Sequence, residues 1–206
     1  MPAPRGDTHP GGRMNPNIRR FTVADLSRYT AGIRAVYAEA FAEPPWHEGP
    51  EQAVEYARRL AADSGRPGFV GAIAVAEHTG AVLGFATGWT TATPMPTSRS
   101  YGDVARALGP ARTAAWLCGA REVDELAVGG LARGTGAAAA LPNAVTADVP
   151  DGRCRLLTST RAEPALRFYA RQGWRRVAHA ESPDTALLLH PRHPAPDGPA
   201  SPPQGV

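Results

Sequence analysis

The residues of this chain best suited to chemistry lie between positions 122 and 138. The run "REVDELAV" carries three acids, and strict strand alternation places Glu122 and Asp124 with Leu126 and Val128 on one face, leaving Val123, Glu125 and Ala127 on the other. Two carboxylates sharing a face at strand spacing can take a proton from an attacking group, directly or through a water. The segment that follows, "GGLARGTGAAAAL", reads as a turn feeding a helix that starts near Ala137. The N–H groups that open a helix have no partner inside it and point outward, so this turn is an anion site by construction. Gly134, Gly136, Ala137 and Ala138 let a phosphate approach the backbone, Thr135 stands between the two glycines, and Arg133 adds a charge-assisted contact. A diphosphate fits such a turn.

Three phosphate-binding patterns compete for it. A Walker loop requires a lysine, and all 22 basic residues here are arginine. A dinucleotide fingerprint is matched by Gly134, Gly136 and Ala139, but no acid stands about twenty residues further on to hold a ribose. The third pattern, Arg/Gln-x-x-Gly-x-Gly/Ala on Arg133, Gly136 and Ala138, resembles the pyrophosphate loop of the GNAT superfamily, the acyl-CoA-dependent N-acetyltransferases. "ELAV" upstream resembles that family's fourth strand. Downstream, Ala165, Tyr169, Gly173 and Trp174 in "PALRFYARQGW" match its Ala-x-x-x-Tyr-x-x-x-Gly-aromatic signature. Two positions depart from the pattern: Ala162 stands where many members carry an asparagine, and Pro142 falls inside the pyrophosphate helix, where it removes a hydrogen bond and should kink or shorten it.

The resemblance implies an α/β (α+β) fold, a mixed, mostly antiparallel sheet flanked by helices and splayed between strands 4 and 5. It implies acetyl-CoA as cosubstrate and no metal. Its pyrophosphate would lie on Arg133, Gly134, Thr135, Gly136, Ala137 and Ala138, and its acyl-pantetheine arm on the free backbone of Leu126, Ala127 and Val128, one N–H polarising the thioester carbonyl. Tyr169 would protonate the leaving thiolate; the alternative is a core tyrosine beside Leu166 and Phe168. An amine acceptor is protonated at neutral pH and needs a base, for which Glu122 and Asp124 are favoured over Glu125; the alternative is that these acids pair with Arg121 or Arg155. By the same analogy the turn "AEPPWHEG" and residues 92–119 line the acceptor side, with Trp46, Glu48, Trp89 and Trp116 as candidate contacts. The expected activity is acetyl transfer to a primary amine of a small molecule or peptide by direct attack in a ternary complex. The alternative is a non-catalytic acyl-CoA-binding or regulatory module.

Several elements must position these groups. "IRRFTV" reads as a first strand, and Asp25 as the cap of a helix whose apolar positions are Leu26, Ile33, Val36, Tyr37, Ala40 and Phe41. A second helix from Pro50 presents Val54, Ala57, Leu60 and Ala61. "FVGAIAVAEH" and "AVLGFATGWT", bridged by "TG", form a hairpin. "DVARALGPARTAAWLC" supplies short helical pieces, "RCRLLTST" a strand, "EPALRFYARQG" a helix, and "WRRVAHA" and "TALLLH" the closing strands.

The chain has 206 residues and 43% hydrophobic composition, enough for one core. The expected organisation is a disordered arm over 1–16, one domain over 17–190 and a disordered Pro-rich tail over 191–206. A net charge of +3 with dispersed arginines disfavours nucleic acid as a partner. Cys118 and Cys154, 36 positions apart, suggest neither a zinc site nor a disulfide, and the six histidines are scattered, His190 and His193 being the only close pair. Without an apolar leader or a long apolar run, a cytoplasmic protein that does not engage membranes is expected; a homodimer is left open.

Overall fold

The computed structural model describes residues 16–98, 100–177 and 184–195. A seven-stranded sheet runs through it in the order β1-β2-β3-β4-β5-β7-β6. These strands are β1 (Asn17–Phe21), β2 (Val70–Val75), β3 (Val82–Thr90), β4 (Arg121–Val128), β5 (Cys154–Ser159), β6 (Arg175–Arg176) and β7 (Thr185–Leu189). Every neighbouring pair is antiparallel except β4 with β5, which is parallel. The mixed, mostly antiparallel sheet expected from the sequence is the one observed.

Helices cover both faces. α1 (Leu26–Phe41) and α2 (Pro50–Asp63) lie on one face, where Ile33, Val36, Tyr37, Tyr56 and Leu60 pack on Ile73, Phe85 and Ala127. α3 (Tyr101–Leu108) and the short α4 (Pro110–Arg112), which widens over Thr113–Leu117, extend that layer across Leu157, Leu187 and Leu189. α5 (Ala137–Thr146) and α6 (Glu163–Arg171) cover the other face, with Ala137, Leu141 and Val145 at helical spacing against Ala72, Ala86 and Val123. Each fully buried Ile, Leu or Phe contributes about 1.5–3 kcal/mol.

Local sequence explains most boundaries. Thr22 donates to Asp25 through both its N–H and its hydroxyl, at 3.1 Å each, and this closes the turn that feeds α1. Pro50 occupies the first turn of α2, where its missing N–H costs nothing. Pro142 does not end α5, which continues to Thr146; the Thr146 hydroxyl donates to the Pro142 carbonyl at 2.9 Å.

Two expectations need correction. The buried face of α2 carries Ala53, Tyr56 and Leu60, while Val54 is exposed and Ala61 with it. Tyr56 stacks between Tyr37 and Phe85, at centroid distances of 4.3 and 5.6 Å, and the large aromatic surface outweighs two smaller aliphatic ones. The folded body also runs past His190: His193 and Ala195 are buried, and the His193 ring accepts from the Ala195 N–H at 3.0 Å and meets the Trp116 carbonyl at 3.0 Å. Most of the expected arm (1–16) and tail (191–206), namely residues 1–15 and 196–206, and the end of "WRRVAHA" lie outside the described residues.

Candidate active site

β4 and β5 pair only through Arg121 with Cys154, Glu122 with Arg155 and Val123 with Leu156. Beyond that point β4 stays on β3 and β5 stays on β7, so the edge of β4 from Asp124 to Val128 has no strand partner on the β5 side. The splay expected between the fourth and fifth strands is therefore present. The gap holds a space of about 120 Å³. Leu126 and Leu156 wall it, Ala165 and Tyr169 reach it from α6, and Phe41 and Trp46 reach it from the opposite layer. An interrupted sheet is what lets side chains from both layers meet.

The acids of β4 do not follow simple alternation. Thr87 faces Glu125 and Gly88 faces Val123, so Asp124 is an extra residue, a bulge that shifts the strand's phase. Glu122 consequently shares the α1/α2 face with Glu125 and Ala127, whereas Val123 joins Leu126 and Val128 on the α5 face. A Cβ at Gly88 would strike the Glu122 carbonyl, which is why this position takes a glycine. Glu122, Asp124 and Glu125 all line a larger cavity of about 470 Å³ that adjoins the gap. Their situations differ. Glu122 accepts from Arg155 at 2.7 Å and from the Tyr101 hydroxyl at 2.8 Å, with both members of the ion pair buried, and Arg155 also donates to Thr91 Oγ1 at 3.0 and 3.2 Å. Arg121 instead reaches the Val145 carbonyl and Asp148.

The glycine turn is exposed and locally braced. Gly134 and Gly136 have φ of +76° and +89°, conformations that side chains with a Cβ rarely adopt, and open space lies where each Cβ would point. The Thr135 hydroxyl donates to the Ala132 carbonyl at 2.7 Å, and the N–H groups of Gly134, Gly136 and Ala138 donate to no acceptor among the described residues. These amides without an acceptor lie at the start of α5 close in sequence to exposed Arg133, so the donor set fits a diphosphate. Sequence reasoning missed the brace behind them: Glu39 of α1 accepts from the Gly130 N–H at 2.6 Å.

Tyr169 is buried, yet its ring lines the gap, and its hydroxyl has no hydrogen bond among the described residues. Burial first, then the Glu125 charge, hold that hydroxyl protonated well above the usual phenol range. Trp46 and Glu48 line the larger cavity as the sequence suggested; Trp89 and Trp116 do not. Trp89 is core, with Arg66 stacked 4.6 Å from its ring centroid, and Trp116 packs on the α3 cluster. Tyr37 and Tyr101 line the cavity in their place, although no motif marks them. Neither space is lined by a cysteine or histidine, and burial pushes the Cys154 thiol up to about 12. Among the described residues no group of His, Cys, Asp or Glu is arranged to hold a metal ion, and no helix is long and apolar enough to cross a membrane.

No protein-family profile matches the sequence, and comparison with curated proteins gives no match. Solved structures do resemble the chain. The PaiA N-acetyltransferase from Thermoplasma acidophilum, in complex with coenzyme A, superposes with a TM-score of 0.56 at 15% identity, covering 86% of this chain and 99% of its own. A histone acetyltransferase HPA2 and related acetyltransferase from Corynebacterium glutamicum gives 0.55 at 19% identity, over 92% and 99%. A GNAT-family protein from Desulfovibrio desulfuricans gives 0.51 at 18% identity, over 84% and 96%. The chain has the GNAT fold. At these identities the likeness concerns the fold, and it agrees with the two motifs: the glycine turn opens the helix after β4, and Tyr169 faces the gap that the fold leaves between β4 and β5.

Proposed function

We propose that the chain is an acetyl-CoA-dependent N-acetyltransferase that modifies a primary amine of a small molecule or peptide by direct attack, with both substrates bound. One observation carries this reading: β4 parts from β5 beside the glycine turn, and Tyr169, Asp124 and Glu125 open onto the same gap. The free amides of Gly134, Gly136 and Ala138, with Arg133, hold the diphosphate. The unpaired edge of β4 over Leu126 to Val128 takes the pantetheine arm as an added strand would be taken. An N–H of that edge stabilises charge developing on the thioester oxygen. Coenzyme A supplies an activated acetyl group whose bond to sulfur breaks as the carbon–nitrogen bond forms.

Protons balance through the residues at the gap. The acceptor ammonium must lose two: one passes through Asp124 or Glu125, directly or by water, to solvent, and the second replaces the proton that Tyr169 delivers to the departing sulfur. Glu122, tied by Arg155 and Tyr101, fixes the point where the strands part. With no cysteine facing either space, an acyl-enzyme on a thiol has no support among the described residues. Ala162, buried at the start of α6, brings no side-chain polar group to the arm.

The test is release of coenzyme A thiol across a panel of primary amines, with calorimetric titration of acetyl-CoA alongside. Turnover with at least one amine is expected. Tight binding without turnover on any amine would instead support an acyl-CoA-binding module, and absence of binding would sink both.

A further inference from the structure

The large cavity has a corner that acetyl transfer itself does not use. Phe41, Trp46, Asp124, Glu125, Leu157 and Thr158 line both the cavity and the gap, whereas Tyr37, Glu48 and Arg59 line only the cavity. Glu48 is brought there by the turn over residues 42–49, which its own N–H closes by donating to the Phe41 carbonyl at 2.9 Å. Its Oε2 is shielded from water and has no partner at hydrogen-bonding distance, the carboxylate's one neighbouring donor being the Tyr37 hydroxyl. A carboxylate oxygen withdrawn from water without a donor is costly, so the corner is incomplete without a positively charged or hydrogen-bonding guest. Trp46, 37% exposed and packed edge-on against Phe41 at 5.6 Å, offers an indole ring beside it on the cavity wall. Indole faces attract cations. The Arg59 guanidinium lies over the Tyr56 ring at 5.2 Å and forms no ion pair with Glu48 among the described residues.

We propose that the acceptor is a dicationic amine: one nitrogen is acetylated at the gap while a second cationic group sits in the corner formed by Glu48 and Trp46. The inference rests on the transferase reading and adds the substrate class. The two nitrogens have different duties. The reacting one must be neutral when it attacks, so its charge cannot supply lasting recognition, whereas the second keeps its charge throughout and gives the buried oxygen of Glu48 its donor. A cavity of about 470 Å³ is large enough for a small ligand to span from the gap to that corner. A free diamine and a peptide whose N-terminus is followed by a basic side chain share this chemistry.

Steady-state assays at saturating acetyl-CoA compare 1,4-diaminobutane with butylamine, and serinyl-lysine amide with serinyl-norleucine amide. The arm that responds identifies the source. In at least one arm, kcat/KM is expected to be about tenfold higher for the dicationic member, the size of effect that one charge-assisted contact supplies. Glu48→Gln, with its melting temperature and acetyl-CoA affinity checked as evidence of folding, is expected to bring that ratio close to one, mainly through KM. Equal kcat/KM within both arms of the native enzyme, or a ratio that survives Glu48→Gln, overturns the assignment and leaves the transferase reading intact. No turnover with any amine overturns both.

Discussion

The turn over residues 133–138 is continuous in sequence and largely exposed, and what it offers to a ligand is main-chain amides. The cavity beside the gap is different in kind: Tyr37 and Phe41 come from α1, Trp46 and Glu48 from the turn after it, Arg59 from α2, Tyr101 from α3, Glu122, Asp124 and Glu125 from β4, Thr158 from β5 and Thr185 from β7. Amides present the same donors whatever side chain they carry, so the turn needs little beyond two residues free to take positive φ. A cavity walled by side chains from several separate elements depends on each of them being in register. The first arrangement suits a ligand that does not vary; the second lets specificity change with single residues.

The largest expected effect tests how far the cavity depends on its buried ion pair. Arg155→Leu removes the cation that faces buried Glu122, leaving it only the Tyr101 hydroxyl, and should cost about 3–5 kcal/mol in equilibrium unfolding, with much of it recovered when Glu122→Leu is added. A loss below about 1 kcal/mol would show that the wall stands without the pair. Next, Tyr169→Phe should lower kcat about a hundredfold while calorimetric affinity for acetyl-CoA stays close to the native value. An unchanged rate returns that hydroxyl to a packing role.

On the turn itself, Arg133→Glu should raise the acetyl-CoA Kd about tenfold, because it replaces an attractive charge by a repulsive one, and shift stability by no more than about 0.5 kcal/mol. Smaller still is the effect of cutting the brace between the two regions. Glu39→Ala should weaken acetyl-CoA binding only about threefold, and Glu39→Gln, which keeps an acceptor for the Gly130 N–H, should restore it. If alanine and glutamine behave alike, the brace does not position the turn.

A final, gentler test lies away from both regions. Burial first, then neighbouring positive charge, lowers His190 below the ordinary imidazole range; burial also lowers His193, against the pull of the Trp116 carbonyl. Unfolded imidazoles bind protons more readily than these folded ones, so their contribution is present above about pH 6.5 and is lost as pH falls through the depressed folded values. Denaturant midpoints should therefore drop between pH 7.5 and 5.5, and His193→Asn should flatten that drop.

Several features are legible in the sequence alone. Arg133, Gly134 and Gly136 sit one to four residues ahead of α5, and Tyr169 sits on α6 at its signature spacing, because short-range patterns depend on local backbone geometry. The buried face of α2 is not legible from its aliphatic residues alone, because Tyr37 and Phe85, which draw Tyr56 inward, come from other elements. The phase of β4 is hidden for a related reason. The bulge at Asp124 exists relative to β3, and the glycine at position 88 that accommodates it lies 36 residues upstream.

The sequence by itself determined the glycine turn, the order of strands and helices, and the residues that begin most of them, since capping, turn formation and apolar periodicity are decided within a few positions along the chain. Tertiary structure decided which acids face the cavity, that Glu122 is held by Arg155, that Trp46 lines the cavity while Trp89 is core, and that Pro191 to Ala195 belong to the folded body. Those outcomes depend on strand register and on which surfaces meet across the sheet, and neither is fixed by residues adjacent in sequence.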